Sequence, residues 1–252
     1  MNILHYPVKI APKFVPAASL PASLDRVREQ IARAAERAGR PADEITLVAV
    51  SKTFPAETIR AAYEAGLRHF GENRVQEWES KQPALAGLDA VWHMIGHLQT
   101  NKARRAVHLF GRVDSVDNLS LAQKLDSAAA AEGKRLPILI EVRLGDEAAK
   151  TGVAESDLPA LAEAIAPLAH LDLLGLMTIP PYFDDPARAR PFFAKLRLLR
   201  DDLARRLARP LPVLSMGMSH DFETAIEEGA TEIRLGTALF GARHTMTEII
   251  EP

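Results

Sequence analysis

The sequence predicts a single closed (β/α)₈ barrel of the TIM type, on three observations. Short apolar runs alternate with amphipathic ones from residue 44 onward, eight such runs occur, and 252 residues suit one large domain of this kind. Most of the runs are nearly continuous in apolar residues, as expected of parallel strands buried on both faces. Residues 1–18 carry three prolines and no clean period, so they read as a loose N-terminal arm, with the barrel over 19–252.

The elements follow in order. Helical spacing begins with Leu24, Val27, Ile31, Ala34 and Ala38. Candidate strands then fall at 46–52, 69–73, 91–96, 112–116, 137–143, 171–179, 213–218 and 232–240. After the first strand, Pro55 fits a first helical turn, Ile59, Ala62 and Tyr63 form an inward stripe, and Gly66 fits the C′ position. Ser219 is the expected cap of a later helix with the stripe Phe222, Ala225 and Ile226 and a stop at Gly229. The longest helix lines up Phe192, Leu196, Leu199, Leu203 and Leu207. Its arginines are diluted by Asp184, Asp185, Asp201 and Asp202, so it reads as a solvated face and not as an RNA-binding one.

Composition narrows the function. A formal net charge of −2 provides no global field for nucleic acid or anionic lipid, which points to small-molecule partners. With zero cysteines, disulfides, thiolate catalysis and thiolate metal sites are excluded. No apolar stretch is long enough to span a bilayer, and no early segment has the pattern of a secretory signal, so the expected location is the cytoplasm.

Lys52 ends the first candidate strand, and strand ends on the C-terminal face of a barrel surround the active site. A lysine partly buried there is disposed to Schiff-base chemistry, the bland alternative being a side chain that snorkels to the rim. Residues 214–219, with Ser215 and Ser219, run from the seventh strand into a helix start, where free N–H groups favour an anion. Gly236 and Thr237 supply a second wall. Two ordinary loops with a capping serine are the alternative. Arg234 lies inside an apolar strand and needs a partner in the barrel mouth: either a cofactor's ring nitrogen or an ion pair to Glu72, Glu141 or Glu232. Asn73, His93, His97 and Gln99 are candidate rim groups at the ends of the second and third strands. Met177 and Thr178 end the sixth, as barrel core or as ring contacts. The spacing of His93 and His97 mimics a metal pair but has no third ligand, so no metal is expected. An amine, an anion site and a buried arginine around one mouth point to pyridoxal phosphate.

These residues carry a resemblance over nearly the whole chain after the arm. The blocks 49–53 (Ala-Val-Ser-Lys-Thr), 70–77, 92–99, 175–179, 214–219 and 234–241 resemble the pyridoxal-phosphate homeostasis protein family, which is similar to the fold-type III barrel domain of alanine racemase. The resemblance implies that Lys52 forms the Schiff base, that Ser215, Ser219, Gly236 and Thr237 surround the phosphate, and that Arg234 faces the pyridine nitrogen. Lys150 falls where the family often has a second lysine, while Arg143 stands where an asparagine is expected. The family is associated with control of free pyridoxal phosphate and of amino-acid and keto-acid pools, without established turnover. Residues 242–252 are too few for the C-terminal β domain of a racemase, so the expectation is a monomeric, non-catalytic carrier that serves apo-forms of pyridoxal-phosphate enzymes. The alternatives are a slow amino-acid racemase and a Schiff-base aldolase acting on a phosphorylated sugar.

Overall fold

The computed structural model describes residues 20–145 and 151–241. The arm at 1–18, Lys150 and residues 242–252 lie outside the described residues. The apolar runs form parallel strands β1 (Thr46–Val50), β2 (His69–Glu72), β3 (Val91–Met94), β4 (Arg112–Val116), β5 (Leu136–Arg143), β7 (Leu171–Met177), β8 (Val213–Ser215) and β9 (Glu232–Leu235). Neighbours pair in the order β4-β3-β2-β1-β9-β8-β7-β5, and a β4–β5 pairing closes the ring, so the barrel has no free edge. A two-residue strand that the sequence did not signal, β6 (Val153–Ala154), pairs with the end of β5.

Helices α1 (Leu20–Arg37), α2 (Ala56–Glu64), α3 (Val75–Lys81), α4 (Ala103–Leu109), α5 (Leu119–Ala131), α6 (Leu158–Ile165), α7 (Arg190–Arg206) and α8 (Phe222–Glu227) pack around the strands. Helix α1 buries Leu24, Val27, Ile31 and Ala34, and its last residue, Arg37, bonds Glu223 and Glu227 at 2.9 and 2.7 Å. Pro55 is the N-cap of α2, and Gly66, at φ +98°, takes the predicted left-handed stop.

Several expectations need correction. The strand read over 232–240 stops at Leu235, and its apolar tail folds as a short helix, α9 (Thr237–Phe240), because a short apolar run fits a buried helical turn as well as a strand. The cap of α8 is Asp221, not Ser219: its Oδ1 accepts the Met218 N–H at 2.7 Å. In α7 the buried side chains are Phe193, Leu196 and Leu203. The stripe is therefore rotated one residue from Phe192 at its start.

The N-terminal half of the barrel lumen is polar. Arg112 donates through Nε to Asp114 at 2.6 Å and through a terminal nitrogen to Glu232, across the lumen, at 3.0 Å. His93 Nδ1 lies 2.9 Å from the second Asp114 oxygen, and its Nε2 lies 3.0 Å from His69 Nδ1. Burial alone would raise the Asp114 carboxyl, but Arg112 and His93 hold it below the usual carboxylate range. An ionised Asp114 makes His93 Nδ1 the donor of that bond. Burial, followed by the charges of His93 and Arg112, pushes His69 down to about 4. A histidine with a folded pKa below its unfolded value of 6.5 gives stability that is complete above 6.5 and is lost as pH falls towards 4. The urea midpoint of the wild type should therefore drop more between pH 7 and pH 4.5 than that of His69→Asn. Equal slopes in the two proteins would remove His69 from the acid response.

Candidate functional site

Six of the eight strand ends at the C-terminal face feed one opening. A cavity of about 240 Å³ is lined by Val50 and Lys52 after β1, Asn73 after β2, Ile95 after β3 and Ile179 after β7. The remaining wall comes from Met218, Ser219 and His220 after β8, and from Arg234, Gly236 and Thr237 on and after β9. Of the residues singled out from the sequence, Lys52, Asn73, Ser219, Arg234, Gly236 and Thr237 thus share one wall.

Lys52 is held by a turn anchored from below. Ser51 is fully buried and donates from Oγ to Glu72 Oε1 at 2.7 Å. Lys81, from the end of α3, binds the Ser51 carbonyl at 3.1 Å, Glu72 at 3.1 and 3.3 Å, and Glu77 at 2.6 Å. Glu77 also accepts the Thr53 N–H. Thr53 sits at φ +68°, a left-handed conformation unfavourable for a β-branched residue, and this strained step directly follows the lysine. Burial raises the Glu72 carboxyl, and Lys81 and Ser51 offset the rise only in part. Glu77 would also be raised by burial, but Lys81 and the Thr53 N–H bring it below its usual value.

The anion wall is built from backbone. Ser219 Oγ accepts the N–H groups of Gly236 at 3.3 Å and Ala238 at 3.2 Å, at the long end of the N–H···O range. Two donors so loosely held at the first turn of α9 remain able to serve an oxyanion.

Arg234 follows the two-residue alternation of β9 and points inward like Glu232. It donates to Ser215 Oγ at 2.7 Å and to the Thr178 carbonyl at 2.8 Å. Its direct partners are neutral; the ion pairs to Glu72, Glu141 or Glu232 weighed from the sequence are not what holds it. Burial pulls its pKa below the usual arginine value, with Glu232, Asp114, Glu141 and Asp221 compensating from a distance.

Four expected site residues sit elsewhere. His93 is fully buried in the lumen network below, because its place within β3 turns the ring towards Asp114. It does not line the cavity. His97 is half-exposed, with Nδ1 3.5 Å from Asp117, so the two histidines do not converge on a metal. His93, Asp114 and Glu232 do converge, but the Arg112 guanidinium already binds both carboxylates. Ser215 and Met177 are also fully buried and outside the lining; Ser215 acts by holding Arg234. His220, which sequence reasoning passed over, does line the cavity. Its only signal was its place directly after Ser219.

The residues fit a pyridoxal phosphate. Asn73 Oδ1 is buried without a hydrogen-bond partner beside Lys52, a guanidinium lies at the wall, and loosely held N–H donors lie at the anion end. Gly96 makes the Asn73 position possible, since a Cβ there would meet the Asn73 carbonyl oxygen at 2.4 Å.

A closed parallel barrel with a lysine and an anion-binding turn at its mouth defines a class, and the sequence profile of the alanine racemase N-terminal domain matches residues 22–244. A pyridoxal phosphate homeostasis protein of Aquifex aeolicus is 49% identical over 220 residues, covering 87% of this chain and 96% of that protein. One from Escherichia coli K12 is 41% identical over 226 residues, covering 88% and 95%. PipY of Synechococcus elongatus, solved with PLP bound, superimposes with a TM-score of 0.79 at 40% identity, covering 88% of this chain and 100% of that one. An alanine racemase of Clostridium difficile shares the fold at 14% identity and a TM-score of 0.72. The chain belongs to the pyridoxal phosphate homeostasis protein family.

The network beneath Lys52 makes a stability prediction. Lys81→Met leaves the fully buried Glu72 without its cation and should destabilise the fold by up to about 3–5 kcal/mol, with Glu72→Gln/Lys81→Met recovering part of the loss. Urea unfolding of the three proteins measures this. A Lys81→Met protein as stable as the wild type would show that the pair does not hold the turn.

Proposed function

We propose that this chain binds pyridoxal phosphate covalently through Lys52 and acts as a monomeric cytoplasmic carrier. It holds the cofactor reversibly for apo-forms of the enzymes that use it and does not turn over a substrate. The observation that carries the reading is the convergence of Lys52, Arg234 and the Ser219–Gly236–Ala238 turn on one cavity. The relatives named for pyridoxal phosphate homeostasis, and PipY with PLP bound, support it.

When bound, the cofactor supplies an aldehyde that condenses with an amine and a pyridine ring that withdraws electrons. In this chain Lys52 is the amine. The Gly236 and Ala238 N–H groups, with the Ser219 and Thr237 hydroxyls, would hold the phosphate, and Arg234 would face the ring nitrogen. A guanidinium stays charged and does not give up its proton, so the ring is left a weak electron sink. Among the described residues lining the cavity there is no carboxylate or tyrosine. His220 Nε2 is engaged by the carbonyls of Phe183 and Asp184 at 3.0 and 3.1 Å. These contacts fix the His220 ring through Nε2, and among the described residues the lining has no second lysine, carboxylate or tyrosine to pair with Lys52 in moving a proton at a substrate carbon.

Borohydride reduction of the loaded protein, followed by peptide mass spectrometry, should place the pyridoxyl group on Lys52. Lys52→Ala should lose the stable adduct while keeping its thermal unfolding profile. An adduct found mainly on Lys102 or Lys150 would overturn the assignment.

Racemisation should fall far below the roughly 1–10³ s⁻¹ usual for enzymes, because a missing positioned acid or base forfeits about 10²–10⁴-fold. Chiral chromatography of alanine, serine and other amino acids, alongside solvent deuterium exchange at the α-carbon, tests this. Turnover near one per second that is lost in Lys52→Ala would establish a racemase instead.

A further inference from the structure

Outside the cofactor cavity, and sharing Asn73 with it, lies a second cavity of about 280 Å³ between the ends of β2 and β3 and the start of α4. We infer that this cavity is a binding site for a small oxyanion, the phosphate or carboxylate group of a second small molecule held next to the bound cofactor. The inference rests on the cofactor reading for its neighbour, but the anion chemistry stands on the lining itself.

The polar lining consists of Asn73, Arg74, Gln76, His97, Gln99 and Lys102, and none of the described residues that line the cavity is acidic. Two cations and three amides turned to one space are donors in search of acceptors. Elsewhere in the fold most arginines are committed: Arg37, Arg112, Arg190 and Arg209 each bind carboxylates at 2.5–3.0 Å. Arg74 and Lys102 make no side-chain hydrogen bond or ion pair at contact distance among the described residues, and the nearest carboxylate effect is the long-range pull of Arg74 on Glu77. Asp117 lies outside the lining, with Oδ2 3.5 Å from His97 Nδ1 and Oδ1 accepting from Asn118.

Asn73 makes the two cavities neighbours. Its Oδ1 is buried without a partner, and its backbone is fixed against Gly96. One residue therefore forms the wall between the cofactor and the anion. A molecule held by Arg74 and Lys102 through its phosphate or carboxylate would lie directly beside the cofactor cavity, with Asn73 between them.

The test uses protein loaded with pyridoxal phosphate, reduced so that the pyridoxyl group is fixed, and dialysed. Calorimetric titrations then follow pyridoxine 5′-phosphate, inorganic phosphate, succinate and phosphate-free pyridoxine. The expected result is one equivalent of oxyanion bound, no binding of pyridoxine, and affinity weakened at least about tenfold in Arg74→Gln/Lys102→Gln. The charge-retaining Arg74→Lys/Lys102→Arg variant should keep the site. Preference for the phosphate ester over succinate identifies a phosphorylated occupant, and the reverse a carboxylate one. No saturable binding, or equal affinity in wild type and the Gln variant, overturns the inference. In unloaded protein the cofactor's own phosphate wall is open as well, so there the second site is read as the difference between wild type and Arg74→Gln/Lys102→Gln; failure to label Lys52 would sink the cofactor reading and leave this one decided by Arg74 and Lys102.

Discussion

Much of this barrel depends on how it tolerates charge in its lumen, and the Arg112 guanidinium is the interaction that settles it. Fixed between Asp114 on its own strand and Glu232 on the far side, it ties β4 to β9 across the interior. Removing one partner of such a buried pair leaves an uncompensated charge and is far more damaging than never having the pair. The same acids serve the next layer up. Arg234 lies two residues beyond Glu232, binds only neutral oxygens, and is stabilised at a distance by Glu232 and Asp114. An arginine with carboxylates in direct contact would be spent on them; with them one layer below, its outer face stays available to the cavity.

The turn that carries Lys52 follows a comparable design. Its charge partners, Glu72, Glu77 and Lys81, are placed under the chain and not in the cavity. The backbone around the lysine is therefore fixed from beneath, by Lys81 at the Ser51 carbonyl and Glu77 at the Thr53 N–H. The left-handed Thr53 is the strained element in this arrangement, and the Glu77–Thr53 bond is what maintains it.

The architecture was legible because parallel strands buried on both faces write themselves as apolar runs, and the runs beginning at Thr46, Arg112 and Glu232 start where the strands start. Their ends were less legible. At the mouth the chain stays apolar while it leaves the sheet, as in the 236–240 segment that becomes α9. Lys52, Arg234, Gly236 and Thr237 could be found because a lone charge or a bare backbone at the end of an apolar run is a local anomaly. The lumen network could not: His93, Arg112, Asp114 and Glu232 meet through strands up to 120 residues apart in sequence, and no local pattern encodes that convergence. His93 was accordingly read as rim when it is lumen, and Ser219 as a helix cap when its hydroxyl serves the α9 turn.

A carrier faces a constraint that an enzyme does not: it must hold a reactive aldehyde firmly while leaving the bond to its lysine open to exchange. The site divides these tasks between strand ends. Firm holding falls to backbone N–H groups and a guanidinium on the β8 and β9 side, contacts that stay the same whichever amine is joined to the cofactor. Exchange falls to the β1 and β2 side, where Lys52 is half-buried and Asn73 separates the cofactor cavity from a cation-lined one. In the proposed binding mode phosphate and ring would be gripped from one side only, leaving the other open to an incoming amine. A proton-moving group on that open side would turn exchange into catalysis at the α-carbon. The lining places uncharged Asn73 and Ile95 there, as the proposed transfer role requires.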